Sequence, residues 1–557
     1  MELQIKKIYT DFLIIGGGTA GCWAALAFSK ISDKKVLIVE KANIKRSGCL
    51  AAGVNALNAY IAPEKTPQDY VDYARADAAG IVRGDLLLTM AQGLNRAVND
   101  LEKAGLTILK DEQGKYAMRG ERNVKINGEN IKPILAQKIL SNPQISVLNK
   151  VNAFEYIVLG NRICGVYAIK IDEPVLYVIY AKAVLCSTGG ACGLYKPNNP
   201  GFSQHKMWYP PFNTGAGYAM GILAGAEMTT LEMRFVALRC KDTIAPTGTL
   251  AQGIGAKQIN SFGEVYENKY GISTSQRIYG TVAENLEGRG PCFLKTSGIS
   301  KLQEFDLYKA YLNMAPLQTL KWIENGKGPS IENVEIEGTE PYIVGGHTAS
   351  GYWVSTARET TIKGLFAAGD VAGGCPQKYV SGALAEGEIA AKSAVKYMDD
   401  SFFEIDDNEI NQRKYWLESF LNRLKADFST DELEEEMQEV MDKYAGGISS
   451  HYSFSEKSLK IADKKIIEIE RKIEKLAAFD MMGLIYILEL KERLTLCRAV
   501  IAHLAARKET RWHIFAENSD YPECDEKWNL YVNSKMENGK LNIILRPLVK
   551  EGEFYEH

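Results

Sequence analysis

Gly16, Gly18 and Gly21 stand in a G-x-G-x-x-G spacing, directly after the apolar run FLII (12–15) and at the head of an alanine-rich stretch. That context, a strand before and a helix after, makes an otherwise weak motif specific. The first glycine permits a sharp turn, the second lets the backbone approach a pyrophosphate, and the third lets helix and strand pack closely. The helix N-terminus then offers free N–H groups and the positive end of its dipole to the phosphates. Glu40 closes the next apolar run, VLIVE (36–40), where a carboxylate can accept hydrogen bonds from ribose hydroxyls. The spacing points to a dinucleotide and does not say which one.

The elements that must hold this site follow from the patterning. Residues 11–41 read strand, glycine turn, helix, strand: a βαβ unit with parallel pairing. Two helical stretches follow over 66–80 and 86–105, and then strand-rich segments lead to STGG at Ser187–Gly190. From about 236 to 342 the period becomes irregular and Gly and Pro more frequent, as in an inserted unit. A strand–glycine–helix pattern returns over 343–400, and from about 404 long charged-apolar helical periods dominate. The expected fold class is α/β: a Rossmann-like dinucleotide-binding domain from 1–235 and 343–403, an α+β capping domain over 236–342, and a C-terminal helical domain over 404–557.

Composition narrows the function. Lys and Arg total 66 against 69 Asp and Glu, which gives no electrostatic case for a nucleic-acid or membrane-surface partner, and no basic aromatic patch argues for RNA. No apolar run approaches the roughly 20 residues of a spanning helix, and the N-terminus carries no cleavable apolar leader, so a cytoplasmic location is expected. The ten cysteines include no Cys-x-x-Cys pair, so the usual ferredoxin spacing for an iron–sulfur cluster is missing. If the chain does redox chemistry, its electrons come from a flavin or a partner. The histidines at 205, 451, 503, 513 and 557 show no ligand spacing and no nucleophile partner.

Beyond these readings the chain resembles known flavoproteins. TIKGLFAAGDVAGG (361–374) resembles the late FAD motif of glutathione-reductase-like proteins, and STGG resembles their strand-end motif. Together with the glycine loop these imply FAD, contacted by Thr188, Gly189 and Asp370. RSGCLAAGVNALNAY (46–60) resembles the flavin-contacting loop of succinate dehydrogenase and fumarate reductase flavoproteins. No histidine lies between Glu40 and Tyr60, so the FAD is expected to be noncovalent. The stretches at 126–133, 208–266, 342–355, 376–395 and 506–512, and the tail DYPE (520–523), are similar to the α (flavoprotein) subunit of dissimilatory adenylylsulfate reductases, a branch of the same family.

This resemblance implies an FAD-dependent oxidoreductase that reduces adenylylsulfate to AMP and sulfite through a flavin N5–sulfite adduct, with electrons from a ferredoxin-like iron–sulfur β subunit. Position by position, it implies catalytic roles for Arg239 (in RFVALRCKD) and His347 (in GGHTASG). It also implies substrate contacts at Arg277, Trp208, Glu129 and Gln252, and flavin-side contacts at Ser47, Asn58 and Ser381. Guanidinium groups suit the two anionic heads of a sulfate–phosphate anhydride, and they stack on a purine. Arg507 and Arg511 are expected to pin the helical region to the nucleotide domain. One departure matters: where the family has Trp-Phe-Leu against the adenine, this chain has Leu250, Ala251 and Gln252. Two other functions therefore stay open, a fumarate-reductase-like enzyme acting on a carboxylate or enoate and a non-catalytic electron-transfer flavoprotein.

Overall fold

The structure is a computed structural model that describes residues 1–127, 130–198, 207–399, 401–553 and 555. Strand β1 (Gln4–Ile15) leads into helix α1 (Thr19–Ser29) and strand β2 (Val36–Glu40). β1 and β2 pair in parallel with Phe12 opposite Val36, and Ile145–Asn149 continues the sheet beyond β2. On the other side of β1 lies the long strand Val175–Cys186. The first half of its outer edge pairs antiparallel with Arg162–Lys170, and its last three residues pair parallel with Leu365–Ala367. The returning segment thus delivers Asp370 to the same sheet end as the glycine loop. Every residue of β2 is buried, as expected of a parallel strand covered on both faces.

A second sheet, Leu238–Cys240, Val334–Gly338, Phe293–Leu294 and Gln258–Ile259, lies within the expected capping region and is wholly antiparallel. It has its own core, which includes Cys240, Leu250, Tyr266, Leu294, Tyr311, Trp322 and Ile336. Beyond 404 four long helices follow: Asp407–Leu421, Thr430–Tyr444, Glu456–Lys472 and Met481–Ala506. Helical character ends there. Leu530–Glu537 and Lys540–Pro547 form an antiparallel hairpin whose first strand pairs with Met228–Thr229, so the chain's last part joins the nucleotide-binding half. Asn538 and Gly539, both at positive φ, make the two-residue turn that Asn-Gly favours. Arg507 donates to Glu232 (2.8 Å) and Arg511 to the Ala79 carbonyl (3.2 Å), the tethering expected of them. Among the described residues no helix is long and apolar enough to cross a membrane.

Candidate functional site

One cavity of about 1280 Å³ runs from the glycine loop to the face of the capping sheet. At its first end the walls are Gly16, Gly18, Glu40, Ser47, Asn58, Thr188, Gly189 and Asp370. Gly16 sits at φ +99°, and a Cβ there would lie 2.5 Å from the Ser187 carbonyl oxygen, so only glycine makes this turn. Around Gly18 there is open space, and no side chain caps α1, which leaves its first N–H groups to a pyrophosphate. Gly21 is not in the cavity wall; it lets α1 pack against the Gly16 backbone. Glu40 accepts from the N–H of Gly17 and of Ala42, both at 2.8 Å, which fixes its carboxylate in the cavity wall with lone pairs to spare. Asp370 accepts from the Tyr209 hydroxyl at 2.7 Å, and burial raises its carboxyl above the usual range, against the pull of Tyr209 and Lys378. The buried Ser47 hydroxyl has no partner among the described residues and lines the cavity. An orphaned donor, an uncapped helix and a glycine cradle fit a dinucleotide cofactor.

Asn58 and Ser381 form one unit. The Ser381 hydroxyl donates to Asn58 Oδ1 (2.6 Å), and Asn58 Nδ2 donates to Tyr70 and to the carbonyls of Gln377 and Lys378 (3.1 Å each). Asn58 lines the cavity; Ser381, expected to touch the cofactor, is not in the wall among the described residues and holds the Asn58 side chain from behind. Lys132, which the sequence did not single out, is buried with its ammonium group donating to the Gly17 carbonyl beneath the loop.

At the other end stand Trp208, Phe235, Gln252, Arg277, His347 and Tyr379. Trp208 meets the His347 ring edge-on at 5.2 Å, Phe235 lies 4.4 Å from it and Tyr379 4.8 Å. In this aromatic box burial drives the imidazole pKa down to about 4, and the buried Nδ1 has no hydrogen-bond partner among the described residues. His347 is therefore neutral at pH 7 and offers a hydrogen bond or a proton acceptor, not a fixed positive charge. Arg277, on the helix Thr274–Leu286, donates from Nε to the Ile272 carbonyl (3.0 Å) and has Glu267 at 3.5 Å. Gln252 and Ala251 line the wall from the short helix Gly248–Ile254. Glu129 lies outside the described residues.

Arg239, expected to be catalytic, is not in the cavity wall among the described residues. Leu238 lines the cavity, but Arg239, next on the strand, does not. Successive residues of a strand face opposite ways, and Arg239 is the cross-strand partner of Glu337, with which it pairs at 2.8 Å. It also donates to the Thr243 carbonyl (2.8 Å) and to Asn198. Sequence reasoning missed Asp77, Arg119, Arg122, Phe235 and Tyr379, all in the wall. The only signal for Arg119 and Arg122 was a charged Arg-Gly-Glu-Arg turn, which reads as ordinary surface.

Comparison with known proteins gives the family. The FAD binding domain family matches residues 11–383. The chain belongs to that family. This flavoprotein is 29% identical to the adenylylsulfate reductase α subunit of Megalodesulfovibrio gigas, over 97% of this chain and 95% of that one. The solved adenylylsulfate reductase of Archaeoglobus fulgidus superposes with a TM-score of 0.93 at 33% identity, covering 100% of this chain and 98% of that one. A solved adenosine-5-phosphosulfate reductase in complex with sulfite (covalent adduct) superposes equally well, at 32% identity and the same coverage. The flavoprotein is thus an FAD-dependent oxidoreductase homologous to adenylylsulfate reductase α subunits, with a Rossmann-like FAD domain, a capping unit and a helical region.

Proposed function

We propose that this flavoprotein is the catalytic subunit of a two-electron reductase of the adenylylsulfate reductase type, taking an anionic oxidant into the chamber beyond the flavin. The observation that carries the reading is the continuity of the cavity: the wall that holds Glu40 and Gly18 runs without a break to Trp208, His347 and Arg277. FAD bound noncovalently at the first end supplies the two-electron chemistry. The protein's share is positioning and charge. Arg277 presents a flat guanidinium to an anionic or purine group. Trp208 and Phe235 exclude water and hold the His347 ring in place. His347, neutral, donates to or accepts from an oxygen of the oxidant. Arg239 contributes indirectly, by tying the strand Leu238–Cys240 to Val334–Gly338 and to Asn198.

Electrons reach the site from a separate iron–sulfur β subunit in this reading. The ten cysteines have no Cys-x-x-Cys pair, and every one is a free thiol, eight of them buried. The buried ones whose ionisation is shifted are shifted upward by desolvation, as at Cys192 and Cys375, both pushed up to about 12. Such thiols are poor ligands and poor nucleophiles.

A second reading has one observation in its favour. Ala251 and Gln252 line the wall where adenylylsulfate reductases carry an apolar adenine platform, so the chamber also suits a smaller carboxylate or enoate. Sulfite separates the two. Added to the oxidised holoprotein, it should bleach the visible flavin bands if the site is built for sulfur oxyanions. Unchanged bands, together with reoxidation of the reduced protein by fumarate, would remove the first reading.

A further inference from the structure

Three guanidinium groups line the cavity away from the nucleotide loop, and they differ in what neutralises them. Arg277 has the Glu267 carboxylate at 3.5 Å. Arg119 and Arg122 have no carboxylate within 4 Å among the described residues. They flank a tight turn in which Gly120 adopts φ +62° and the strands Met118–Arg119 and Asn123–Lys125 pair. Glu121, between them, points to solvent with Lys65 at 3.8 Å, so the acid of the turn faces away while both arginines line the cavity.

Among the described residues Arg119 has one acceptor, Asn55 Oδ1 at 2.6 Å, and its buried Nε has no partner. Arg122 lies on the Tyr73 ring, with its guanidinium carbon 3.2 Å from the centroid. Among the described residues the carboxylate lining this end is Asp77, and it already accepts from the Thr274 N–H and hydroxyl (3.1 Å each) and from Gln377 Nε2 (2.5 Å). A partly buried cation lining a cavity with no carboxylate within 4 Å among the described residues is better solvated when an anion arrives. Burial also lowers the proton affinity of Arg119, the direction expected of a cation awaiting one. Tyr379 completes the link to the chemistry. Its ring meets His347 edge-on, it exposes 40% of its surface within the cavity wall, and it lies within electrostatic reach of Arg119.

We propose that the turn from Arg119 to Arg122 is an oxyanion-binding subsite that grips an acid group of the substrate, phosphate, sulfate or carboxylate, on two guanidinium forks while the reacting end lies at His347. The proposal rests on the reading of the chamber as a site for an anionic oxidant and adds the place where a second charge is held.

The test uses the full-length, FAD-loaded protein and the oxidised flavin spectrum as reporter, with AMP and succinate as separate probes. Wild type is compared with Arg119→Gln, Arg122→Gln and Arg122→Lys. The expected result is that at least one probe perturbs the spectrum and that each Gln variant weakens its binding about tenfold or more, as loss of a charge-assisted contact does. Arg122→Lys should recover part of the loss, and binding should become less sensitive to salt in the Gln variants. AMP as the affected probe marks a phosphate site and succinate a carboxylate site. The proposal is overturned if neither probe binds wild type, or if both Gln variants bind both probes as wild type does. Arg122→Gln, on a half-exposed turn, keeps the test open should Arg119→Gln misfold. Failure here with sulfite bleaching intact removes only the subsite. Absence of bleaching with succinate binding that depends on Arg119 removes only the sulfur-oxyanion reading.

Discussion

The two ends of the cavity are built from different materials. The nucleotide end is mostly backbone: a glycine turn, an uncapped helix start and a carboxylate locked by two N–H groups, all within 27 consecutive residues from Gly16 to Ala42. The oxidant end is mostly side chains, brought by Asp77, Arg119, Trp208, Gln252, Arg277, His347 and Tyr379 from segments far apart in the chain. Backbone determinants tolerate almost no change at the glycines and much change elsewhere. Side-chain determinants can be exchanged one at a time, as Ala251 and Gln252 in the wall can be without touching the loop. A family can therefore keep its cofactor and drift in its substrate.

Substitutions can break or sharpen that contrast. The largest effect is expected at Gly16. Gly16→Val forces a branched side chain into φ +99° and against Ser187, so FAD content measured by absorbance should fall below about one hundredth of wild type. Full flavin content would show that the loop is not the binding element.

His347 comes next and makes a pH prediction. Its folded pKa of about 4 lies below the ordinary 6.5, so between these values the unfolded chain binds the extra proton. The stability associated with neutral His347 is thus complete above pH 6.5 and is lost as pH falls towards 4, by about 3 kcal/mol. Denaturant unfolding at pH 7 and pH 4.5 should show that loss in wild type and much less of it in His347→Gln.

Arg239→Leu should lower stability by about 2 kcal/mol, since it strands Glu337 and Asn198. FAD content should be unchanged and AMP affinity altered only slightly. A loss of AMP binding without loss of stability would return Arg239 to the substrate. The smallest effect is expected from Ala251→Phe with Gln252→Leu, which rebuilds the apolar platform and should tighten AMP about fivefold, worth roughly 1 kcal/mol.

What was legible in the sequence follows the same division. The glycine loop, Glu40 and the parallel pairing of β1 with β2 could be read because local spacing and strand ends determine them, while Asp370 was found through resemblance. His347, Trp208 and Arg277 were found through resemblance, and the structure gathers them in one wall. That Leu238 and not Arg239 lines the cavity could not be read, because a sequence shows residue type but not which face of a three-residue strand points inward. Arg119 and Arg122 were missed because a charged turn looks the same whether it faces water or a chamber. The C-terminal hairpin had a signal, Asn-Gly between alternating apolar runs, that the long helices before it overshadowed.

The central claim, that one continuous cavity lets the flavin act on an anionic oxidant held near His347 and Arg277, is tested most directly by a single anaerobic turnover. Photoreduced holoprotein is mixed with a small excess of adenylylsulfate, and the flavin spectrum and released nucleotide are followed together. The expected result is return of the oxidised bands with one AMP released per flavin. Flavin that stays reduced in saturating adenylylsulfate, with no AMP formed, would contradict it.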